Sequence, residues 1–205
     1  MLNADKLKIE KLISNDEAER IATCEELDAL DLGHFEDHPI SQKFIHEREK
    51  ELIDTFYSTK SEKVKEWILQ VLAEALIESE EVVAIVANSL TQNCKYLPTL
   101  LYYMWQNSSK FINNKQQIKT LSKHADAQVR WRVALVLENM PLEYGEDIKV
   151  IRELMLDEYY TTRTYAVLAL KKLNKLGFLD RLALKRVIKV DDGAARTYAL
   201  ELLGK

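Results

Sequence analysis

The chain has 205 residues, 47% of them hydrophobic, and a net charge of −4, which is enough apolar material for one continuous core with no compositional sign of disorder. Five glycines and three prolines are too few for the many tight turns of a sandwich or barrel, so the expected class is all-α. No apolar signal core opens the sequence and no run approaches the ~18 apolar residues of a membrane span, so the chain reads as a cytoplasmic protein with no membrane partner.

In chain order, Lys6 to Ile13 and Asp16 to Leu30 form a first helix pair, turned at Ser14-Asn15-Asp16, with Ile21, Cys24, Leu27 and Leu30 at spacings of three. Asp31 to Pro39, punctuated by Gly33 and Pro39, is an insertion loop near 31–40. Ser41 to Tyr57 is expected as one long helix. Ser61 to Ile77 follows, with Val64, Trp67, Ile68, Val71, Leu72 and Ala75 tracing the stripe of an amphipathic helix. Glu80 to Leu90 and Tyr96 to Asn107 make a third pair. Asn107 to Lys110 turns the chain into the fourth pair, Pro141 to Gly145 separates the fourth from the fifth, and Gly177 precedes the sixth. Cys24 and Cys94 lie on separate elements without a CxxC pair, which favours reduced thiols over a disulfide or a metal site.

The later pairs repeat. Arg130, Val133 and Leu137 return as Arg163, Ala166 and Leu170, and again as Arg196, Ala199 and Leu203, each step being 33 residues. The preceding segment repeats with them, Ile118 and Leu121 returning as Ile151 and Leu154, then as Leu184 and Val187. A fixed period of this size with helical spacing in both halves marks a stacked solenoid. Backwards, Leu97, Leu100 and Met104 keep the register. Val64 follows Arg20 by 44 residues, so the insertion accounts for about 11 extra positions.

The pattern D-x-x-V-R-x-x-A/V-x-x-x-L resembles HEAT repeats, particularly the short HEAT-like type of bilin lyases, an armadillo-like architecture. Asp126, Val129, Arg130, Val133 and Leu137 carry it, followed by Arg163, Ala166 and Leu170 and by Asp192, Arg196, Ala199 and Leu203. Upstream only Asp16 and Arg20 match, Val64 and Leu97 replace the arginine, and Tyr159 replaces the aspartate of the fifth repeat. The resemblance implies one α-solenoid domain over residues 1–205, an all-α right-handed superhelix of about six helix pairs. It also implies that Asp and Arg pair along the stack, which makes Arg130, Arg163 and Arg196 structural. An Asp at a helix start meets free backbone amides, and an Arg fork satisfies carbonyls or carboxylates of a neighbour.

Catalytic chemistry finds no constellation. His34-Phe-Glu-Asp-His38 has the H-x3-H spacing of a metal site only if helical, and Gly33 and Pro39 bracket it; His46 alone is near, and His124 is far along the stack. His46-Glu47 is similar to one His-Glu unit of deoxyhypusine hydroxylase, a HEAT-like di-iron enzyme, but that enzyme needs several such pairs. There is no glycine-rich phosphate loop, no G-x-S-x-G elbow and no nucleophilic Cys with a His partner. The expectation is a non-enzyme with no metal and no cofactor.

The remaining candidate is surface. If Val133, Val136, Leu137 and Met140 face the core, Arg132 and Leu135 occupy the other stripe, continued by Tyr165 and Leu168, by Tyr198 and, one period back, by Tyr102. In a HEAT-like array the second helices line the concave side, which makes Tyr102, Arg132, Leu135, Tyr165, Leu168 and Tyr198 a groove ridge rich in the Tyr and Arg of protein-binding surfaces. The competing reading packs Tyr102, Leu135 and Leu168 between neighbouring repeats. Residues 1–110 carry 21 acidic and 12 basic side chains and residues 111–205 carry 12 and 17, so an acidic partner segment suits the C-terminal half if these charges are more than a solvating surface. The leading reading is a non-catalytic protein-binding scaffold, with an inhibitor or immunity protein that neutralises a protein toxin as one form of it. The alternative is a DNA-binding relative of the HEAT-like glycosylases for alkylated bases, to which Arg130, Trp131, Arg132, Arg163 and Tyr165 point and a pI of 5.7 does not. A tetrapyrrole lyase or chaperone is held in reserve on the repeat type alone.

Overall fold

A computed structural model describes residues 8–29, 39–173 and 176–204, and every regular element among them is helical. Residues 31–38 of the expected insertion loop, with the His34/His38 pair, lie outside the described residues, and Pro39, expected as part of the loop, instead opens a helix. The chain divides into two compact units, Met1–Tyr103 and Met104–Lys205.

The N-terminal unit starts with helical residues 8–12 (α1) and continues through α2 (Glu17–Ala29), α3 (Pro39–Glu47), α4 (Glu49–Ser58), α5 (Glu62–Glu74), α6 (Glu80–Asn88) and the start of α7 (Leu97–Gln106). Side-chain oxygens open several of these helices: Asp16 accepts from Ala18 N at 2.9 Å, Ser61 from Val64 N and Ser79 from Val82 N, both at 3.3 Å. The single long helix expected over Ser41 to Tyr57 is instead two. Arg48 leaves helical geometry at φ −108°, ψ 10°, its N–H is shared between the carbonyls of Phe44 and Ile45, and its guanidinium binds Glu51 while lying over the Phe44 ring. The end of α5 is a Schellman turn with Leu76 at φ 52°, where Ile77 N–H returns to Leu72 O and Leu76 N–H to Ala73 O. Tyr103 Oη donates to Ile77 O at 2.6 Å and holds that turn from below.

Two carboxylates knit this unit. Glu17 Oε1 accepts from Thr59 Oγ1 (2.7 Å) and from the N–H groups of Lys60 and Ser61, and Glu17 also pairs with Arg20. Asp28 collects Lys63 (2.9 Å), Lys95 (3.3 Å) and the indole N–H of Trp67 (3.1 Å). Contacts between α2 and α5 and between α4 and α5 complete the stacking of successive pairs.

In the C-terminal unit a 3₁₀ turn, Ser108–Asn114, leads into the short α8 (Lys115–Thr120) and a second 3₁₀ turn, Leu121–Lys123, where one first helix of a pair was expected. Then come α9 (Ala127–Asn139), α10 (Glu146–Leu154), α11 (Tyr160–Lys171), α12 (Phe178–Val190) and α13 (Ala194–Leu202). The second helices α9, α11 and α13 pack side by side in one row, and α8, α10 and α12 form the other. Buried Val133, Ala134, Ala166, Ala169, Ala195 and Ala199 keep the second-helix row closely spaced, while Ile118, Ile148, Ile151, Leu184 and Val187 fill the space behind it.

Two ladders of ion pairs cross the repeats of this unit. In the first, Arg130 binds Asp157 (Nε to Oδ2, 2.7 Å) and caps the carbonyls of His124 and Ala125, and Arg163 binds Asp191 (2.6 Å) and caps the carbonyls of Asp157 and Glu158. The structural role expected of Arg130 and Arg163 is therefore present, but with other aspartates than the motif suggested. Asp126 caps its own helix at Gln128 N, and Asp192 is exposed. Tyr159 supplies no side-chain cap, and its N–H is taken by Asp157 Oδ1, two residues upstream. Arg196 reaches only the Ile188 carbonyl among the described residues.

The second ladder joins the first helices and was not foreseen. Asp147 receives Lys119 (2.6 Å), Lys115 (2.7 Å) and Glu143 N–H; Asp180, fully buried, receives Arg152 (2.9 Å), Tyr144 Oη (2.7 Å) and Gly177 N–H (2.7 Å). Burial pushes both carboxyls up, but these donors outweigh it and hold each below the ordinary carboxylate range.

Candidate protein-binding face

Five of the six expected ridge residues, Arg132, Leu135, Tyr165, Leu168 and Tyr198, lie on the second helices of the C-terminal unit. With the Arg130 and Arg163 side chains committed to the ladder on one side of α9 and α11, the neighbouring turn of each helix points its larger side chains outward. Gln128, one turn before, organises α9: its Oε1 accepts from Trp131 Nε1 and from Arg132, both at 2.9 Å. The Arg132 guanidinium sits 4.3 Å from the Trp131 ring centroid, and Trp131 stacks on Tyr165 of the next repeat with centroids 5.7 Å apart and 21° between planes. A cation, an indole and a phenol thus form one half-buried platform across two repeats.

On α13, Tyr198 lies under the Lys171 ammonium at 5.6 Å, and Lys171 pairs with Glu201 at 2.8 Å. Leu168, on α11, is half-buried. Leu135 is 5% exposed, so it packs in the core as the competing reading had it and is no part of an open ridge. Tyr102 is half-buried on α7 in the N-terminal unit. Of the six expected residues the structure therefore joins Arg132 and Tyr165 through Trp131. Trp131, which the sequence offers only toward the DNA-binding alternative, is absent from the expected ridge; its position 34 residues before Tyr165, the offset that Asp157 and Asp191 also show, is the signal that places it there.

Among the described residues no three His, Cys, Asp or Glu side chains gather as metal ligands would. His46 and Glu47 stand at the surface, on a cleft of about 420 Å³ shared with Lys50, Asp54 and Glu81. Cys24 and Cys94 are free, and burial pushes both thiols up, Cys24 to about 11, away from nucleophilic use. Among the described residues no helix is long and apolar enough to cross a membrane.

Solved structures define the class. The chain resembles a designed armadillo repeat protein in complex with the peptide (KR)4, with a TM-score of 0.64 and 14% identity over 97% of this chain and 98% of that one. It resembles equally an engineered protein from the Northeast Structural Genomics Consortium, with a TM-score of 0.64 and 13% identity over 96% and 93%. At these identities the likeness shows the fold, which is the all-α, armadillo-like α-solenoid. The chain matches no protein-family model and no curated protein.

Proposed function

We propose that the protein is a non-catalytic binding scaffold that holds an extended protein segment along the second helices α9, α11 and α13, the concave groove of a HEAT-like array. The observation that carries this reading is the platform of Arg132, Trp131 and Tyr165, an aromatic and guanidinium surface built across a repeat boundary and already ordered by Gln128. Aromatic and Arg side chains that are held in place before binding lose little entropy when a partner desolvates them. The designed armadillo neighbour, which binds a peptide, supports the partner kind. Its peptide is basic, whereas the Lys171 and Lys172 charges here are met by Glu201 and Glu138, which leaves the Arg132 guanidinium of the platform as the cation offered to a carboxylate of the bound segment. An inhibitor or immunity protein that masks part of a toxin is a use of this kind.

The test is a pull-down from cell lysate with wild type and with Trp131→Ala/Tyr165→Ala. A protein retained by the wild type and lost by an equally stable variant supports the reading. Recovery of the same protein by both forms refutes the platform, and recovery of nucleic acid alone by the wild type moves the assignment to the DNA-binding alternative.

A further inference from the structure

The first-helix row of the C-terminal unit carries a second surface that repeat packing does not explain. On α12, Phe178 is 80% exposed, and Leu179, Leu182 and Val190 are exposed beside it. Interleaved with them are Arg181, Lys185, Arg186 and Lys189, all exposed and none in an ion pair among the described residues. By helical rise the strip from Phe178 to Val190 runs about 18 Å. The one acidic residue of the helix, Asp180, is buried on the opposite side against Arg152.

Comparison with the preceding repeat shows that the change is specific. Thirty-three residues earlier, Leu179, Leu182 and Arg186 correspond to Glu146, Lys149 and Glu153 on α10, an ordinary charged outer face on which Lys149 pairs with Glu146. The boundary between α8 and α10 is bridged there by Lys123 and Glu153 at 3.5 Å. At the next boundary the same two positions hold Leu156 and Arg186, which cannot pair. A cleft of about 380 Å³ lies there, with Leu156 and Val190 as apolar walls and Arg186 and Lys189 on its rim. The cleft's own carboxylates, Asp157 and Glu158, are already bound by Arg130, which leaves the rim cations unanswered.

We infer that α12 and this cleft form a docking surface for an acidic protein segment with apolar anchors, separate from the second-helix platform. One anchor enters between Leu156 and Val190, its flanking carboxylates meet Arg186 and Lys189, and a second apolar side chain covers Phe178 and Leu182. Charge complementarity selects an acidic occupant, and the cleft selects one with side chains to insert. The neighbouring α10 presents exposed Glu146 and Glu153, which a broad anionic bilayer would meet and an occupant one helix wide does not.

The decisive variant is Leu156→Lys/Arg186→Glu, which rebuilds the Lys123–Glu153 bridge of the preceding boundary and so closes the cleft while preserving the fold. A displayed library of random peptides of about twelve residues, the helical length of the strip, is selected on the wild-type protein. Enrichment of Asp and Glu alternating with Leu and Phe, with affinities lowered about tenfold or more by the rebuilt bridge and by Phe178→Ser at unchanged thermal midpoint, is the expected result. Acidic peptides that bind the rebuilt variant as well as wild type overturn the inference. So does loss confined to Trp131→Ala/Tyr165→Ala, or absence of enrichment, including the case in which phosphatidylserine vesicles bind the wild type instead.

Discussion

Arg163 and Asp191, 28 residues apart, meet at 2.6 Å across a repeat boundary, and Arg130 meets Asp157 one repeat earlier in the same way. Each arginine also caps the two carbonyls that precede its own helix. Removing the guanidinium therefore strands a buried carboxylate and opens the helix entry at once. Arg163→Ala is expected to destabilise by roughly 1–3 kcal/mol in urea denaturation, with Arg163→Lys recovering part of it because an ammonium lacks the fork. A fully stable Arg163→Ala protein that has lost its partner would move the arginine to the binding site.

Asp180 serves three donors from two repeats, and it is fully buried. Asp180→Ala is expected to cost roughly 2–3 kcal/mol, whereas Glu153→Ala, on the outer face of α10 with one exposed pair to Lys123, stays within about 0.5 kcal/mol. Equal effects in matched melts would show that the first-helix ladder does not hold the stack.

Acid should reveal the same groups. Asp147, Asp180 and Asp191 all titrate below the ordinary carboxylate value, and Glu17 is held at about 2 by Arg20 and Thr59. A folded-state pKa below the unfolded one stabilises above the unfolded value, about 4, and that stability is lost as pH falls towards the folded value. The thermal midpoint is expected to hold from pH 7 to about 5 and to drop below about 4, less steeply in Asp180→Asn.

Trp131 and Trp67 differ in kind. Trp67 is buried and ties α5 to Asp28, so Trp67→Ala is expected to cost about 3–5 kcal/mol. Trp131→Ala, on the half-buried platform, should cost about 1 kcal/mol or less. Chemical denaturation of the two variants distinguishes them, and a large loss at Trp131 would make the platform part of the core.

The class and the repeat were legible because apolar side chains at helical spacing return every 33 residues, and burial leaves no other periodic arrangement for Val133, Ala166 and Ala199. The partners of the arginines were not, since Asp157 and Asp191 lie in turns that shift by a residue between repeats, and a pairing that depends on turn geometry does not follow the helical register. The break at Arg48 escaped for a related reason, because it depends on one ψ angle within an unbroken amphipathic pattern. The sequence leaves Leu135 open between ridge and core because a helix packed on two flanks buries more than one stripe, and side-chain period alone does not tell an open flank from a covered one. The α12 surface needed the cleft beside it before its exposed Phe178 meant more than a terminal irregularity.

Each ladder carboxylate does two tasks at once, accepting from the turn of its own repeat and from the cation of the repeat before. Asp157 takes Tyr159 N–H and Arg130, Asp191 takes Gly193 N–H and Arg163, and Asp180 takes Gly177 N–H and Arg152. The 33 residues from Arg130 to Thr162 contain one donor and one acceptor of each ladder, Arg130 with Asp157 and Arg152 with Asp147. Tandem duplication in the gene would therefore close every joint again in the lengthened chain, while deletion of a fraction of a period would leave a cation and a carboxylate facing nothing. Growth or shrinkage by whole repeats is the kind of change this arrangement tolerates, and it does so without requiring a compensating substitution.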